Sequence, residues 1–169
     1  MILKSGYNTY LINARDVIYS LDNGGQVLVG NMAAAAHTDI LVASGVTNVV
    51  NCTKNQITRK FKSDDRLIYM RFDICFWKTE LGNHPNNEEL VQFFAPAFAF
   101  IDDAIEKGNK VLIHCVAGAH RAGTMGLIYL IHRGECNSFD DALRYIIIKR
   151  PCVKPMGILL QVAKMYPAN

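Results

Sequence analysis

The stretch VLIHCVAGAHRAGTMG, residues 111–126, constrains this chain more than any other part of it. Val111–His114 is β-branched, apolar and brief, the pattern of a buried strand. Cys115 follows, then a short loop containing Gly118, then Arg121, then a run of helix formers. In open α/β sheets ligands bind where strands give way to loops and helices. A strand that runs directly into a glycine-bearing loop and a helix is therefore both a fold element and a binding position.

The residue types in the loop fit cleavage of a phosphate ester by a thiol. The nucleophile has to be a thiolate, so its pKa must lie well below the usual value of about 8.5. A helix N-terminus beside the sulfur favours negative charge through its unpaired amides and dipole. The amides of Val116, Ala117, Gly118, Ala119, His120 and Arg121 can surround phosphoryl oxygens as a nest. Gly118 lets the backbone turn tightly and point its N–H inward. The planar fork of Arg121 suits two oxygens and the charge that spreads over them in the transition state. Taken singly, a cysteine at a strand end is a small buried hydrophobe and an arginine one turn into a helix is a solvated residue. Their joint occurrence across a glycine loop between strand and helix favours the chemical reading. The glycines do not make an ATP-binding loop, because no Lys-Ser or Lys-Thr pair follows the second one.

The rest of the chain alternates short strand patterns with helical ones. Val27–Gly30, Asn48–Cys52 and Leu67–Arg71 read as strands, with MAAAAHTDILVASG between the first two as a helix stopped by Gly45. A longer helix starts at Asn86 or Asn87, with Glu88 and Glu89 at its positive end. Its apolar positions Leu90, Phe93, Phe94, Ala97, Phe98, Ile101 and Ile105 recur at helical spacing up to Gly108, and Pro96 inside it predicts a bend. Ser138 with Asp141 resembles a capping box for a helix that Pro151 stops. Alternating strands and helices predict an α/β fold: a central, mostly parallel mixed sheet flanked by helices.

Composition excludes several classes. With 169 residues, 50% hydrophobic and 20% charged, the chain has the balance of one compact domain. A net charge of +3 with no basic stripe predicts no nucleic-acid partner. The longest apolar run, Phe93 to Ile101, contains a proline and is too short to span a bilayer, so no membrane association is expected. The N-terminal MILKSGYNTY lacks the pattern of a signal peptide. Five cysteines without paired spacing do not form a disulfide framework, which predicts a reducing, cytoplasmic setting. His37, His84 and His132 are scattered, and no metal site is expected. Cys52 and Cys75 are most simply buried thiols, with a protective disulfide to Cys115 on oxidation as the alternative.

The motif His114-Cys115, five residues, Arg121 resembles the signature of the protein tyrosine phosphatases, and within them the small dual-specificity group. Ala117-Gly118 and Gly123 also look like that family. VLVGNMAAA, GVTNVVNCT, FIDDAIEKGNKVLIHC and KRPCVKP extend the likeness over most of the chain. The resemblance implies a single catalytic domain over residues 1–169 and a two-step reaction through a cysteinyl-phosphate, with His114 supporting the loop and no metal or other cofactor. It also implies phosphorylated protein substrates, hydrolysis of phosphotyrosine and of phosphoserine or phosphothreonine, and a protein that acts as a monomer.

Departures from the family pattern sharpen the expectations. The family usually has serine or threonine after the arginine, to assist departure of the thiolate, whereas this chain has Ala122, as do phosphatases of the regenerating-liver type. Slow breakdown of the phospho-enzyme is the expected consequence, with Thr124 as a possible source of a substitute hydroxyl. His120 stands where small residues are common; it either adds charge beside the phosphate or faces solvent at the helix entry. The general acid that would protonate the leaving oxygen aligns with Phe76, which cannot donate. Asp73 is the nearest carboxyl and is our choice, Glu80 the runner-up, and capping of a local turn the plain alternative for Asp73. Gly82, Asn83, Pro85 and Asn86 predict a mobile flap between Asp73 and Leu90, and Trp77 either stacks on substrate or anchors that flap.

Competing functions are a slow or inactive module that binds phosphoproteins, a phosphatase of a phosphoinositide, RNA or glucan, and a sulfur- or arsenate-handling enzyme that reuses the loop.

Overall fold

Strands β1 (Arg15–Ser20), β2 (Gln26–Gly30), β3 (Val46–Asn51), β4 (Ile68–Arg71) and β5 (Lys110–His114) form one sheet in the order β1-β2-β5-β3-β4. The computed structural model describes residues 14–53 and 64–168; the N-terminal MILKSGYNTY lies outside them. β2, β5, β3 and β4 run parallel, and β1 pairs antiparallel with β2. The expected mostly parallel mixed sheet is therefore observed. Each of the anticipated strands falls within a residue or two of its expected range. β1 was not anticipated, because Ile18 is its only buried residue and polar Arg15, Asp16 and Ser20 interrupt the pattern.

Helices cover both faces: α1 (Met32–Ala36), α2 (Thr38–Ala43), α3 (Trp77–Leu81), α4 (Asn87–Glu106), α5 (Arg121–His132), α6 (Phe139–Lys149) and α7 (Ile158–Met165). Alternation along the strands sorts the core into two layers. Leu28, Val49 and Leu112 pack with Ala34 and Leu41 of α1 and α2. Val27, Val29, Val50, Val111 and Ile113 face the larger layer, built on α4, α5 and α7. α5 is the buried centre of that layer, with every residue from Ala122 to Ile131 inaccessible or nearly so. It can lie this close because Gly126 has no side chain: a Cβ there would come within 2.7 Å of Val29 Cγ2.

The single helix expected over MAAAAHTDILVASG is two. His37 leaves the helical region (φ −100°, ψ 69°) and its Nδ1 meets the Ala33 carbonyl, so the chain turns there before restarting at Thr38. Gly45, at φ +84°, ends the second piece as expected. α4 starts on a complete capping box, with the Asn86 side chain accepting from the Glu89 amide and Glu89 accepting from the Asn86 amide. It runs through Pro96 without ending. Ser138 caps α6 by accepting from the Asp141 amide. Among the described residues no helix is long and apolar enough to cross a membrane.

The first part of the expected flap after Asp73 is a 3-10 turn (Ile74–Phe76) continued by α3, and residues 82–86 form a loop before α4. Ile74 and Trp77 are fully buried, and the Trp77 indole donates to the Ile158 carbonyl at 3.2 Å. Two large apolar side chains fix the segment to the body, and Trp77 is its anchor rather than a stacking platform.

Candidate active site

β5 delivers Cys115 to the end of the central strand, and α5 begins at Arg121. Between them the loop carbonyls all face away from its centre. Val116 O accepts from the Met32 amide at 3.0 Å, and Ala117 O from Arg150 Nη2 at 3.4 Å. Gly118 O accepts from Arg150 Nε at 2.9 Å, and Ala119 O from the Lys154 amide at 3.0 Å. In a planar trans peptide the carbonyl and the next N–H point in opposite directions. The amides of Ala117, Gly118, Ala119 and His120 are thereby turned away from those carbonyl partners, the arrangement an anion-binding nest requires. The Gly118 amide donates to Cys115 Sγ at 3.2 Å. Gly118 sits at φ +68°, a left-handed conformation that suits glycine.

His114 is 4% exposed, and its Nδ1 has no hydrogen-bond partner. Burial, with a smaller contribution from the charge on Arg71, brings its imidazole down to about 4 against an opposing contact with the Cys115 backbone. An imidazole lowered this far is uncharged near pH 7. Cys52 lies beside it, its amide donating to the His114 carbonyl at 2.8 Å. Burial raises the Cys52 thiol well above its ordinary range, with negative charge at Cys115 adding to the rise and Arg121 opposing it. Asp73 and Cys75 act on the same thiol, so the fold gathers these side chains from three stretches of chain around the loop. Cys52, Cys115, Cys136 and Cys152 are free thiols.

His120 and Thr124, the two polar side chains considered for roles beside the phosphate, both bond to backbone carbonyls. His120 Nδ1 meets the Lys154 carbonyl at 2.7 Å, and since a carbonyl only accepts, Nδ1 carries the proton. The imidazole is exposed at the helix entry, as the solvent-facing alternative expected, and it also ties the loop to the 150–154 segment. Thr124 donates its hydroxyl back to the His120 carbonyl at 2.6 Å, the common fate of a threonine in a helix. Ala122 is fully buried and offers no hydroxyl.

Asp73 caps the 3-10 turn, one carboxyl oxygen accepting from the Cys75 amide at 3.1 Å. It also lines an open groove of about 430 Å³ with Phe76 and Glu80, walled by Phe72, Phe93 and Pro96. Both carboxyls considered from the sequence therefore share one depression, and half-exposed Phe76 stands between them in the chain. Among the described residues no group of three or more His, Cys, Asp or Glu side chains is placed to hold a metal.

Arg150 and Asp16 were not found by sequence reasoning. KRP was visible as a turn, but nothing in it marks a side chain that crosses to a loop 32 residues earlier.

The family model described as the dual specificity phosphatase catalytic domain matches residues 27–166. The chain is 29% identical to the protein-tyrosine-phosphatase MKP1 of Arabidopsis thaliana over 80% of its own length and 16% of that protein's. It is 30% identical to human dual specificity protein phosphatase 7 over 75% of its length and 29% of that protein's. The chain thus spans less than a third of either relative. The crystal structure of the human tyrosine phosphatase-like serine/threonine/tyrosine-interacting protein superposes with a TM-score of 0.67 at 22% identity, covering 88% of this chain and 92% of that one, a likeness of fold. With a strand–loop–helix unit from Cys115 to Arg121 on this sheet and a family match over most of its length, the chain belongs to the dual specificity phosphatases through their catalytic domain.

Proposed function

We propose that the chain is a cysteine-dependent protein phosphatase that hydrolyses phosphotyrosine, and phosphoserine or phosphothreonine, through a cysteinyl-phosphate. The observation that carries the reading is the Gly118 amide on Cys115 Sγ inside a loop whose carbonyls from Val116 to Ala119 are all bound on the outside. In the first step Cys115 Sγ attacks phosphorus, the bond to the leaving oxygen breaks, and Asp73 delivers a proton to that oxygen. The inner amides and the Arg121 guanidinium take the phosphoryl oxygens, whose charge grows in the transition state. In the second step the Asp73 carboxylate takes a proton from water as its oxygen attacks phosphorus, and the S–P bond breaks, releasing inorganic phosphate and the Cys115 thiolate. Phosphoproteins are the substrate class that the named relatives support. Free thiols at Cys52, Cys115, Cys136 and Cys152 support a reducing compartment such as the cytoplasm, and we take the acting form to be a monomer.

Ala122 and the committed Thr124 hydroxyl favour a second reading, in which the second step is slow and the protein holds its phosphorylated partner for long periods. One experiment separates the two. An aryl phosphate is mixed with the protein and phenol release is followed, with Cys115→Ser as control. Steady release abolished by the substitution supports the phosphatase, a burst followed by slow release supports the retaining form, and no release from either protein refutes catalysis. A panel of phosphopeptides, a phosphoinositide, a 5′-phosphorylated RNA and a phosphoglucan then tests the substrate class, and preference for any non-peptide ester would overturn it.

A further inference from the structure

Arg150 is 4% exposed, lies outside the Cys115–Arg121 loop, and directs its guanidinium at the loop's outer side. Nε donates to Gly118 O at 2.9 Å and Nη2 to Ala117 O at 3.4 Å, while Nη1 meets Asp16 Oδ2 at 2.6 Å. A buried cation is costly unless paired and hydrogen-bonded, and here each nitrogen has a partner. Asp16 comes from β1, where it pairs with Val29 of β2. Gly30, the last residue of β2, lies on the same side of Gly118: a Cβ there would come within 2.5 Å of Gly30 O and 2.6 Å of Arg150 Nη2. The loop therefore rests against both the end of β2 and a guanidinium whose remaining nitrogen is fixed to β1.

We propose that Arg150, held by Asp16, is a positioning residue that keeps the Ala117 and Gly118 carbonyls turned outward and so keeps the amides behind them aimed at the bound phosphoryl group. The planar fork is what the position demands. Two adjacent carbonyls and a carboxylate lie in different directions, and a guanidinium reaches all of them from one rigid plane, whereas an ammonium on a flexible stem does not. Arg150 acts through the loop and not on substrate, since it is buried and each of its nitrogens faces a protein oxygen. Asp16 gives the edge strand β1 a role at the site, from 134 residues away in the chain.

This inference rests on the phosphatase reading, and its test keeps the two apart. Arg150→Lys, Arg150→Met, Asp16→Asn and the double variant Asp16→Asn/Arg150→Met are compared by kcat and KM on an aryl phosphate. Thermal unfolding and the pH dependence of Cys115 alkylation by iodoacetamide are read in parallel. Misplaced amides lower kcat/KM about 100-fold in both Arg150 variants, carried mainly by kcat. Asp16→Asn lowers it about tenfold, the loss of one charge-assisted contact. The double variant is no worse than Arg150→Met alone, because the carboxylate acts only through the guanidinium. In every variant the alkylation midpoint moves to higher pH. A guanidinium acting merely as a nearby charge gives the opposite sign for Asp16→Asn, since removal of a negative group favours the thiolate and lowers the midpoint; that result overturns the proposal. So does an unchanged alkylation profile in folded Arg150→Lys. Should Arg150→Met fail to fold, Asp16→Asn and Arg150→Lys still decide. Absence of turnover in the unmodified protein would refute catalysis while leaving the alkylation series readable.

Discussion

Gly118 lies so close to Gly30 that a single methyl group on its Cα would come within 2.5 Å of the Gly30 carbonyl oxygen. Its φ of +68° adds a second constraint, because left-handed backbone costs other residues about 1–2 kcal/mol. Gly118→Ala is therefore expected to destabilise the protein by about 2 kcal/mol or more and to displace the amide now on Cys115 Sγ. Thermal unfolding together with aryl phosphate hydrolysis checks both parts, and a variant of normal stability and rate would show that the loop is not confined as described.

Ala122 is buried at the first turn of α5, and Thr124 spends its hydroxyl on the His120 carbonyl. If departure of the Cys115 thiolate from phosphorus is the slow step, a hydroxyl at residue 122 assists it. Ala122→Ser should raise steady-state turnover about fivefold, the value of one hydrogen bond of ~1 kcal/mol, and reduce any burst. A stopped-flow trace with an unchanged burst and rate removes this step as the limit.

Asp73 and Glu80 share the groove that also contains Phe76. With Asp73 as the acid, Asp73→Asn should slow hydrolysis of an alkyl phosphate about 100-fold while affecting a nitrophenyl ester little, because a good leaving group needs no proton. Glu80→Gln should leave that dependence unaltered. The reverse pattern would transfer the role to Glu80, and flat profiles in both would leave Asp73 as the cap of the 3-10 turn alone.

Away from the loop, Asp102 of α4 accepts from Tyr129 at 2.6 Å and Arg133 at 3.1 Å, with His132 Nε2 at 3.8 Å. Burial pushes its carboxyl up, but the contacts with His132 and Tyr129 and the charge on Arg133 outweigh this and hold it below the usual carboxylate range. A carboxyl depressed by folding adds stability at pH above its unfolded value of about 3.9, and the contribution is lost as pH falls through the folded value. Asp102→Asn should cost about 1–2 kcal/mol at neutral pH, and the gap from the unmodified protein should close in strong acid. Denaturant melts across pH measure it; a gap that persists at the acid end excludes the carboxylate as its source.

The parts legible in the sequence are those that depend on neighbours along the chain. Periodicity located β2 to β5, and the capping pair Asn86 and Glu89 located the start of α4, because both are properties of a few consecutive residues. The spacing from Cys115 to Arg121 implied a loop that binds an anion for the same reason. His37 broke an expected helix because alanine-rich propensity is a weak preference that a local turn overrides.

Composition and spacing along 169 residues thus determined the strand–loop–helix unit that carries Cys115 and the layered α/β plan. Only the folded chain decided that Ile74 and Trp77 pin the segment after Asp73, that His120 turns to Lys154, and that Asp16 and Arg150 meet behind the loop. Those contacts join residues far apart in the chain, and what selects them is the burial of apolar side chains and the pairing of buried polar atoms, conditions that exist once the elements have packed.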